Sequence, residues 1–132
     1  MGVIQLRLFI NSRAALPIYQ QLITQVKSAV ASGMLQPGQQ LPSVRDLAGQ
    51  LAINPNTVAK AYSILENQGV IFIRQGAGTF VSQSPETKPD RAILQQKLNE
   101  VVVEAYHQGL STAQTKILLD KTFKKWNIRE VD

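Results

Sequence analysis

The chain has 132 residues, a formal net charge of +5 and 44% hydrophobic residues. This length suits one domain, or one small domain with an appendage. Cysteine is absent and His107 is the only histidine, so disulfides and thiolate zinc sites are excluded. A histidine-based metal or catalytic cluster is not expected for the same reason, and no cofactor is predicted.

The excess of basic residues lies in the first part of the chain. Residues 1–82 contain six basic and two acidic side chains, a balance of +4. Residues 83–132 contain eight basic and seven acidic side chains, a balance of +1. A basic surface suits an anionic partner. Such a partner is therefore expected to bind the first part of the chain.

The N-terminal residues predict an extended segment. Apolar and polar residues alternate over Val3–Ile10, which is typical of a strand or an extended arm. The first ten residues lack the continuous apolar run of a signal peptide, and no stretch is long and apolar enough to span a bilayer. We therefore expect a cytoplasmic protein without membrane association.

A first helix is predicted between Pro17 and Gly33. Proline is favoured in the first turn of a helix, where its missing N–H costs nothing, and glycine is favoured just after the end. The apolar face of this helix consists of Ile18, Leu22, Val26, Ala29 and Val30. A turn is predicted next, at the Gln36-Pro37-Gly38 segment.

A second helix is predicted to begin after Ser43, a favourable N-cap residue with Asp46 three residues later. Its core-facing residues are Val44, Leu47, Ala48 and Leu51. Arg45 must then point outward near the helix N-terminus, where the helix dipole favours anions over cations. This position fits an exposed ion pair, or a contact with a phosphate or a base edge.

A third helix is predicted after the Ala52-Ile53-Asn54 turn, with Asn54 as the cap and Pro55 at the first position. Its inward face consists of Val58, Ala61, Tyr62 and Leu65, and Gly69 ends it. The outward face of its first turns consists of Asn56, Thr57 and Lys60. Asn56 and Thr57 could support the helix start, but Asn54 already fills the cap, which favours a binding role for them.

A β-hairpin is predicted after the third helix. Val70–Arg74 is rich in β-branched and aromatic residues, Gln75–Gly78 forms the tip, and Thr79–Val81 returns. The two glycines suit an ordinary tight hairpin turn, and they equally suit a probe of a DNA groove. They are not a dinucleotide-binding fingerprint, because Val81 occupies the third glycine position and a strand follows.

The C-terminal part is predicted to be a helical hairpin beyond a polar linker at residues 83–89. Gly109 separates its two helices, and Ser111 can cap the second. Their apolar stripes consist of Leu94, Leu98, Val101, Val102, Ala105, Leu119, Phe123 and Trp126. Because a two-helix hairpin cannot bury such a stripe by itself, we expect a dimer interface here and not a ligand site.

The chain resembles the winged helix-turn-helix domain of the GntR family of bacterial transcription regulators. The matching residues are Leu41-Pro42-Ser43, Arg45, Leu47-Ala48, Leu51, Asn56-Thr57-Val58, Ala61-Tyr62, Leu65-Glu66, Gly69 and Gly76-x-Gly78-Thr79-Phe80-Val81. Two further segments, Pro17-Ile18-Tyr19-Gln20-Gln21 and Asn54-Pro55-Asn56-Thr57-Val58, resemble the YtrA subfamily, as does the short helical tail. The resemblance covers nearly the whole chain.

The resemblance implies a role for each matching polar residue. Arg45 would contact DNA, Ser43 would cap its helix and reach a phosphate, and Thr57 would contact a phosphate or a base. Lys60 would meet the DNA backbone. At the wing, Gly76 would enter the minor groove, where the lack of a side chain allows close approach. The wing residues expected to contact DNA are Gln75, Gly76, Gly78 and Thr79.

Asn56 departs from the pattern of the family, because many relatives have an arginine just before the threonine. Asparagine favours bidentate pairing with adenine, whereas arginine favours guanine. The operator of arginine-bearing relatives is therefore not expected to apply to this chain.

The expected fold is α+β and mainly helical, with a winged helix-turn-helix domain at residues 1–82 and a helical dimerisation tail at residues 90–132. The expected function is a homodimeric DNA-binding regulator, in particular a repressor on a palindromic double-stranded operator. No small-molecule effector is required by the sequence.

Three other functions fit parts of the sequence. A winged helix used only for protein interaction would not need Arg45, Asn56, Thr57, Lys60 and a glycine tip on one surface. A regulator fused to an aminotransferase-like domain shares a similar DNA module, but the residues after the hairpin are too few for that domain, so pyridoxal phosphate is not expected. An enzyme is disfavoured because no nucleophile-base set, phosphate loop or metal cluster is evident.

Overall fold

The computed structural model describes residues 7–83 and 91–126, in which five helices and three short strands are found. The elements are α1 (Ile18–Ser32), β1 (Gln40–Leu41), α2 (Val44–Leu51), α3 (Pro55–Asn67), β2 (Ile71–Arg74), β3 (Gly78–Val81), α4 (Arg91–His107) and α5 (Thr112–Trp126). The chain divides into two compact units, Met1–Thr87 and Lys88–Asp132. The predicted α+β, mainly helical class is confirmed.

The predicted capping residues begin and end the helices of the first unit. α1 follows Pro17 and ends at Gly33, whose φ of 82° is left-handed. The Ser43 hydroxyl accepts a hydrogen bond from the Asp46 backbone N–H at 3.0 Å. The Asn54 side chain accepts one from the Asn56 backbone N–H at 2.8 Å. These bonds satisfy backbone donors that helices leave unpaired at their first turns.

The turn between α2 and α3 contains a strained residue, Ala52. Its φ is 54°, the single positive φ found at a non-glycine residue of the described chain. A left-handed alanine is disfavoured because its Cβ crowds the backbone. Bonds around the turn maintain this conformation, since the N–H of Ile53 donates to the carbonyl of Ala48 at 3.0 Å.

A single apolar core holds the helices and strands of the first unit together. α1 and α2 both pack against α3, and α3 packs against β2. The buried apolar residues are Leu22, Val26, Leu35, Leu41, Leu47, Ala48, Val58, Ala61, Tyr62, Leu65, Val70, Ile71 and Val81. Six of the eight inward positions expected on α2 and α3 are in this set, and the other two, the partly buried Val44 and Leu51, pack against it. The outer corners of both helices are therefore left to polar residues.

The sheet has three strands, whereas the sequence predicted a two-stranded hairpin. β3 lies in the middle, with β2 and β1 antiparallel on either side. β1 pairs Gln40 with Phe80 and Leu41 with Thr79. A strand of two residues between a turn and a helix has no alternation from which it could be predicted. β1 attaches the wing, which is the hairpin of β2 and β3, to the segment that leads into α2.

Residues 7–11 run along α1 without forming a strand. Of the predicted strand or extended arm Val3–Ile10, residues 7–10 are described, and they form no strand. The Gln25 side chain accepts from the Phe9 N–H at 2.8 Å and donates to the Phe9 carbonyl at 2.6 Å. Gln21 makes the same pair of bonds with Asn11, at 2.9 Å each. Two glutamine amides thus replace the neighbouring strand that the segment lacks.

The second unit contains α4 and α5, with the predicted break between them. Gly109 has a φ of 80°, and the Ser111 hydroxyl accepts from the Gln114 N–H at 3.1 Å as the cap of α5. Within residues 91–126, Ala105 is the only buried residue. The expected linker at residues 83–89 lies outside the described residues except for Gln83.

Candidate nucleic-acid interface

The start of α2 presents two of the predicted contact residues to solvent. Ser43 and Arg45 are both exposed, because the inner side of α2 is occupied by Leu47 and Ala48. The backbone N–H groups of the first helical turn lie beside them, and this end of a helix attracts anions. The start of α2 therefore combines a guanidinium group with a helix end that favours negative charge.

Arg45 is not used in an ion pair with any described carboxylate. The salt bridge found within residues 7–83 and 91–126 joins Lys124 to Asp120 at 3.2 Å, in α5. The side chain of Arg45 is exposed, and its five N–H donors are suited to bidentate contact with a phosphate or a guanine edge. The intrahelical ion pair, which was the alternative explanation of this arginine, is not observed.

The first turns of α3 present Asn56, Thr57 and Lys60. Asn56 and Lys60 are exposed and Thr57 is half-buried, while Val58 and Ala61 face the core. Residues separated by three or four positions share a helix face, so these three side chains lie on one surface. Asn54 fills the cap of α3, so the side chains of Asn56 and Thr57 are not needed for that purpose.

The ammonium group of Lys60 lies over an aromatic ring of α1. Its Nζ atom is 3.9 Å from the centroid of the Tyr19 ring, well within the range of a cation–π contact. Tyr19 is half-buried in the first turn of α1. Its part in the site was missed by the sequence reasoning, because a pair separated by forty-one positions has no signature in local spacing.

Tyr62 belongs to the core and not to the exposed surface. Its hydroxyl donates to the Pro42 carbonyl at 2.7 Å, and both residues are buried. Burial raises the pKa of Tyr62 well above its usual range, because the phenolate would be desolvated. This bond places the segment before Ser43 against the middle of α3. It thereby fixes the position of the start of α2 on α3.

The wing tip is a tight glycine turn at the exposed end of the hairpin. Gly76 has a φ of 79°, and a Cβ added there would meet no atom within 4 Å. Gly78 lies beneath Gln40, whose amide nitrogen would be 2.6 Å from an added Cβ. The same amide donates to the Ala77 carbonyl at 3.3 Å. Gln40 of β1 therefore holds the tip, while Gln75 and Gly76 remain exposed.

Thr79 is a correction to the predicted contact set. Its side chain is only 6% exposed, because it follows the inward alternation of β3 together with Val81. The period of two along a strand places Phe80, and not Thr79, on the outer face. The side chain of Thr79 is therefore not available to contact DNA. Gly78, which is half-buried under Gln40, contributes to the tip through its backbone conformation.

The outer face of the wing carries a basic residue that the sequence reasoning did not select. Phe72 and Phe80 are cross-strand partners, and their rings stack with centroids 5.4 Å apart. The guanidinium of Arg74 lies 5.8 Å from the centroid of the Phe72 ring. Side chains two positions apart on a strand lie on the same face, so the sequence could have placed Arg74 on the face of Phe72. Arg74 adds a positive charge next to the glycine tip.

Glu66 joins α3 to the wing. Its Oε2 atom accepts a hydrogen bond from the Ile73 backbone N–H at 2.8 Å. β2 is an edge strand, so this N–H would otherwise have no partner in the sheet. Together with the packing of Val70 and Ile71 in the core, this carboxylate holds the wing against the end of α3.

The second unit exposes a broad apolar surface instead of a polar site. The predicted interface residues Leu94, Leu98, Val101, Val102, Leu119 and Phe123 are all exposed, and Trp126 is half-buried. Ala105 is a correction, because it is already 8% exposed in the single chain and has little surface left to contribute. Contiguous exposed apolar residues of this kind mark an interaction surface.

Residues 7–83 and 91–126 contain no group of three or more side chains arranged to hold a metal ion. None of the helices described there has both the length and the apolar character needed to cross a bilayer.

Comparison with known proteins gives one consistent family. The model of the family described as "Bacterial regulatory proteins, gntR family" matches residues 18–81. The HTH-type transcriptional repressor YtrA of Bacillus subtilis is 38% identical over 104 residues, which cover 76% of this chain and 80% of the repressor.

Solved structures agree with that match. A structure named as a transcriptional antiterminator from Listeria monocytogenes has a TM-score of 0.86 at 32% identity, covering 96% of this chain and 97% of its own. The DNA-binding domain of AraR, in complex with operator ORX1, has a TM-score of 0.52 at 30% identity, covering 58% of this chain and 96% of its own. The winged helix-turn-helix fold is confirmed.

Proposed function

The chain belongs to the GntR family of bacterial transcription regulators, whose members are not enzymes, and we propose that it is a homodimeric repressor that binds a palindromic operator. The observation that carries the proposal is the exposed Arg45 at the start of α2, which forms no salt bridge with a described carboxylate, together with the exposed polar residues of α3. The inner sides of both helices are fully used by the core, so these outward residues are free to contact DNA.

In the proposed complex, α3 lies in the major groove. Asn56 and Thr57 at its N-terminal end contact base edges or phosphates, and Lys60 contacts the backbone. Arg45 reaches the same groove from the start of α2. Asn56 favours adenine at the base that it faces, because its amide matches the N6 and N7 atoms of adenine. Gln75 and Gly76 enter the adjoining minor groove, Gly78 shapes the tip through its backbone, and Arg74 neutralises a neighbouring phosphate.

The apolar surface of α4 and α5 supports the dimer. Leu94, Leu98, Val101 and Val102 form one stripe along α4, and Leu119, Phe123 and Trp126 form another along α5. A second copy of the same surface is the partner that would remove both stripes from water. Two-fold symmetry then requires a palindromic operator, with half-sites roughly one helical turn of DNA apart. A repressor of this kind acts in the cytoplasm.

DNA binding is tested by selecting duplexes from a random library with the full chain and measuring their affinity by fluorescence anisotropy. The proposal expects a palindromic consensus whose dissociation constant is at least about 10³-fold below that of a scrambled duplex. Lys121→Met, a charge loss in α5, serves as a control that leaves the affinity unchanged. If no duplex is enriched even at low salt, a protein-interaction module replaces the DNA-binding proposal.

The dimer is tested with a pair of matched substitutions in α4. Val102 and Val103 are 57% and 56% exposed, but only Val102 belongs to the apolar stripe. Sedimentation should show a dimer for the unaltered chain and for Val103→Glu. Val102→Glu should sediment as a monomer, because it places a charge in the interface. Equal behaviour of the two variants would exclude this stripe as the dimer interface.

A further inference from the structure

We infer that Tyr19 is a positioning residue for DNA binding, whose ring holds the Lys60 ammonium in place as a preformed phosphate contact at the junction of α1 and α3. This inference rests on the proposed function, since it names one contact of the same surface. Tyr19 lies outside the helix-turn-helix. Its role is to position Lys60, and it does not itself contact a base.

The geometry of the pair is specific. The Nζ atom of Lys60 is 3.9 Å from the centroid of the Tyr19 ring, which is close for a cation–π contact. The ring itself is held by its neighbours, because Tyr19 is half-buried and its hydroxyl accepts from the Gln20 Nε2 at 3.3 Å. α1 and α3 pack along each other, and Tyr19 packs against the core of the first unit, which restricts the ring.

The charge of Lys60 remains available to an anion. No described carboxylate forms a salt bridge with it, and its side chain is exposed. The ring face attracts the ammonium group from one side only, so the N–H donors on the solvent side stay free. Lys60 also lies one helical turn after Asn56 and Thr57, on the same face. A DNA phosphate beside α3 is the anion that fits this position.

Holding the ammonium group in advance should strengthen binding. A free lysine side chain samples many rotamers, and a contact with DNA would have to restrict them. The Tyr19 ring restricts them in the unbound protein, which lowers the entropy lost on association. The contribution should therefore depend on the aromatic ring and not on the hydroxyl. It should also vanish when Lys60 is absent.

The test is a double-mutant cycle on a selected duplex, with dissociation constants measured over a range of salt concentrations. Lys60→Met should reduce the slope of log K against log salt by about 0.9, the value for one phosphate contact. Tyr19→Leu should weaken binding roughly two- to fivefold, as expected for an exposed cation–π contact. Tyr19→Phe should bind like the unaltered chain. In the Lys60→Met background, Tyr19→Leu should cause no further loss.

A measurement without DNA checks the contact itself. Protons next to the Lys60 ammonium should show an upfield NMR shift from the ring, which Tyr19→Phe retains and Tyr19→Leu removes. The same spectra report whether each variant is folded. Lys121→Met is the charge control and should leave the salt slope unchanged.

Several outcomes would overturn the inference. An equal loss from Tyr19→Leu with and without Lys60 would show that the two residues act independently. A loss in Tyr19→Phe as large as in Tyr19→Leu would assign the effect to the hydroxyl. An unchanged salt slope in Lys60→Met would exclude the phosphate contact while DNA binding itself stands. Failure of the unaltered chain to bind any selected duplex would instead overturn the proposed function, and this contact with it.

Discussion

The hydrogen bond between Tyr62 and Pro42 should be required for both stability and DNA binding. Tyr62 is 1% exposed, and its hydroxyl donates to the Pro42 carbonyl at 2.7 Å. Tyr62→Phe keeps the ring but leaves this buried carbonyl without its donor. The expected loss is about 1–2 kcal/mol of the free energy of unfolding. For a domain of this size, each kcal/mol lowers the melting temperature by roughly 4–8 °C.

Tyr106→Phe is the matched control, because Tyr106 is 76% exposed and lies in α4. Urea unfolding of both variants followed by circular dichroism gives the free energies. The same bond holds the start of α2 on α3, so Tyr62→Phe should also weaken operator binding through a displaced Arg45. If Tyr62→Phe and Tyr106→Phe change the free energy of unfolding equally, the bond does not have the role assigned to it.

Three further predictions follow from the core and the wing. Burial raises the pKa of Tyr62 in the folded state, so the unfolded chain releases that proton first as the pH rises. The free energy of unfolding should therefore fall above about pH 10. Urea unfolding over this range should show a shallower fall for Tyr62→Phe, and an identical fall would contradict the assignment. Ala52→Gly should raise the free energy of unfolding by about 0.5–1 kcal/mol, because the relief of left-handed strain exceeds the entropy cost of glycine. A lower melting temperature of this variant would show that the turn is not strained. Glu66→Ala should lower the free energy of unfolding by about 1 kcal/mol and speed hydrogen exchange at the Ile73 amide. Glu66→Gln keeps an acceptor and should protect that amide. Equal exchange rates in the two variants would exclude the bond.

Local chemistry allowed most helix limits to be predicted. Ser43 and Asn54 accept the expected capping bonds, and Gly33 and Gly109 adopt the left-handed conformation that ends a helix. The inward faces of α2 and α3 also follow from spacing, because one side of each helix must be apolar to reach the core. These features depend on residues close together in the chain, and a sequence displays them directly.

Contacts between distant residues were not predictable in the same way. β1 exists only because Gln40 and Leu41 meet β3, and two residues show no periodicity. The Tyr19–Lys60 pair and the Gln25–Phe9 bonds likewise arise from packing along α1. Strand alternation would have placed the Thr79 side chain inward with Val81, but the family pattern at the wing suggested a DNA contact.

The central claim is that Arg45 and the polar face of α3 give sequence-specific binding. Its most direct test is the ratio of the dissociation constants for a scrambled and a selected duplex, measured for the unaltered chain and for Arg45→Ala at one salt concentration. The ratio should fall by roughly 5- to 150-fold in Arg45→Ala, equivalent to about 1–3 kcal/mol for a lost base contact. An unchanged ratio in a folded Arg45→Ala protein would contradict the claim.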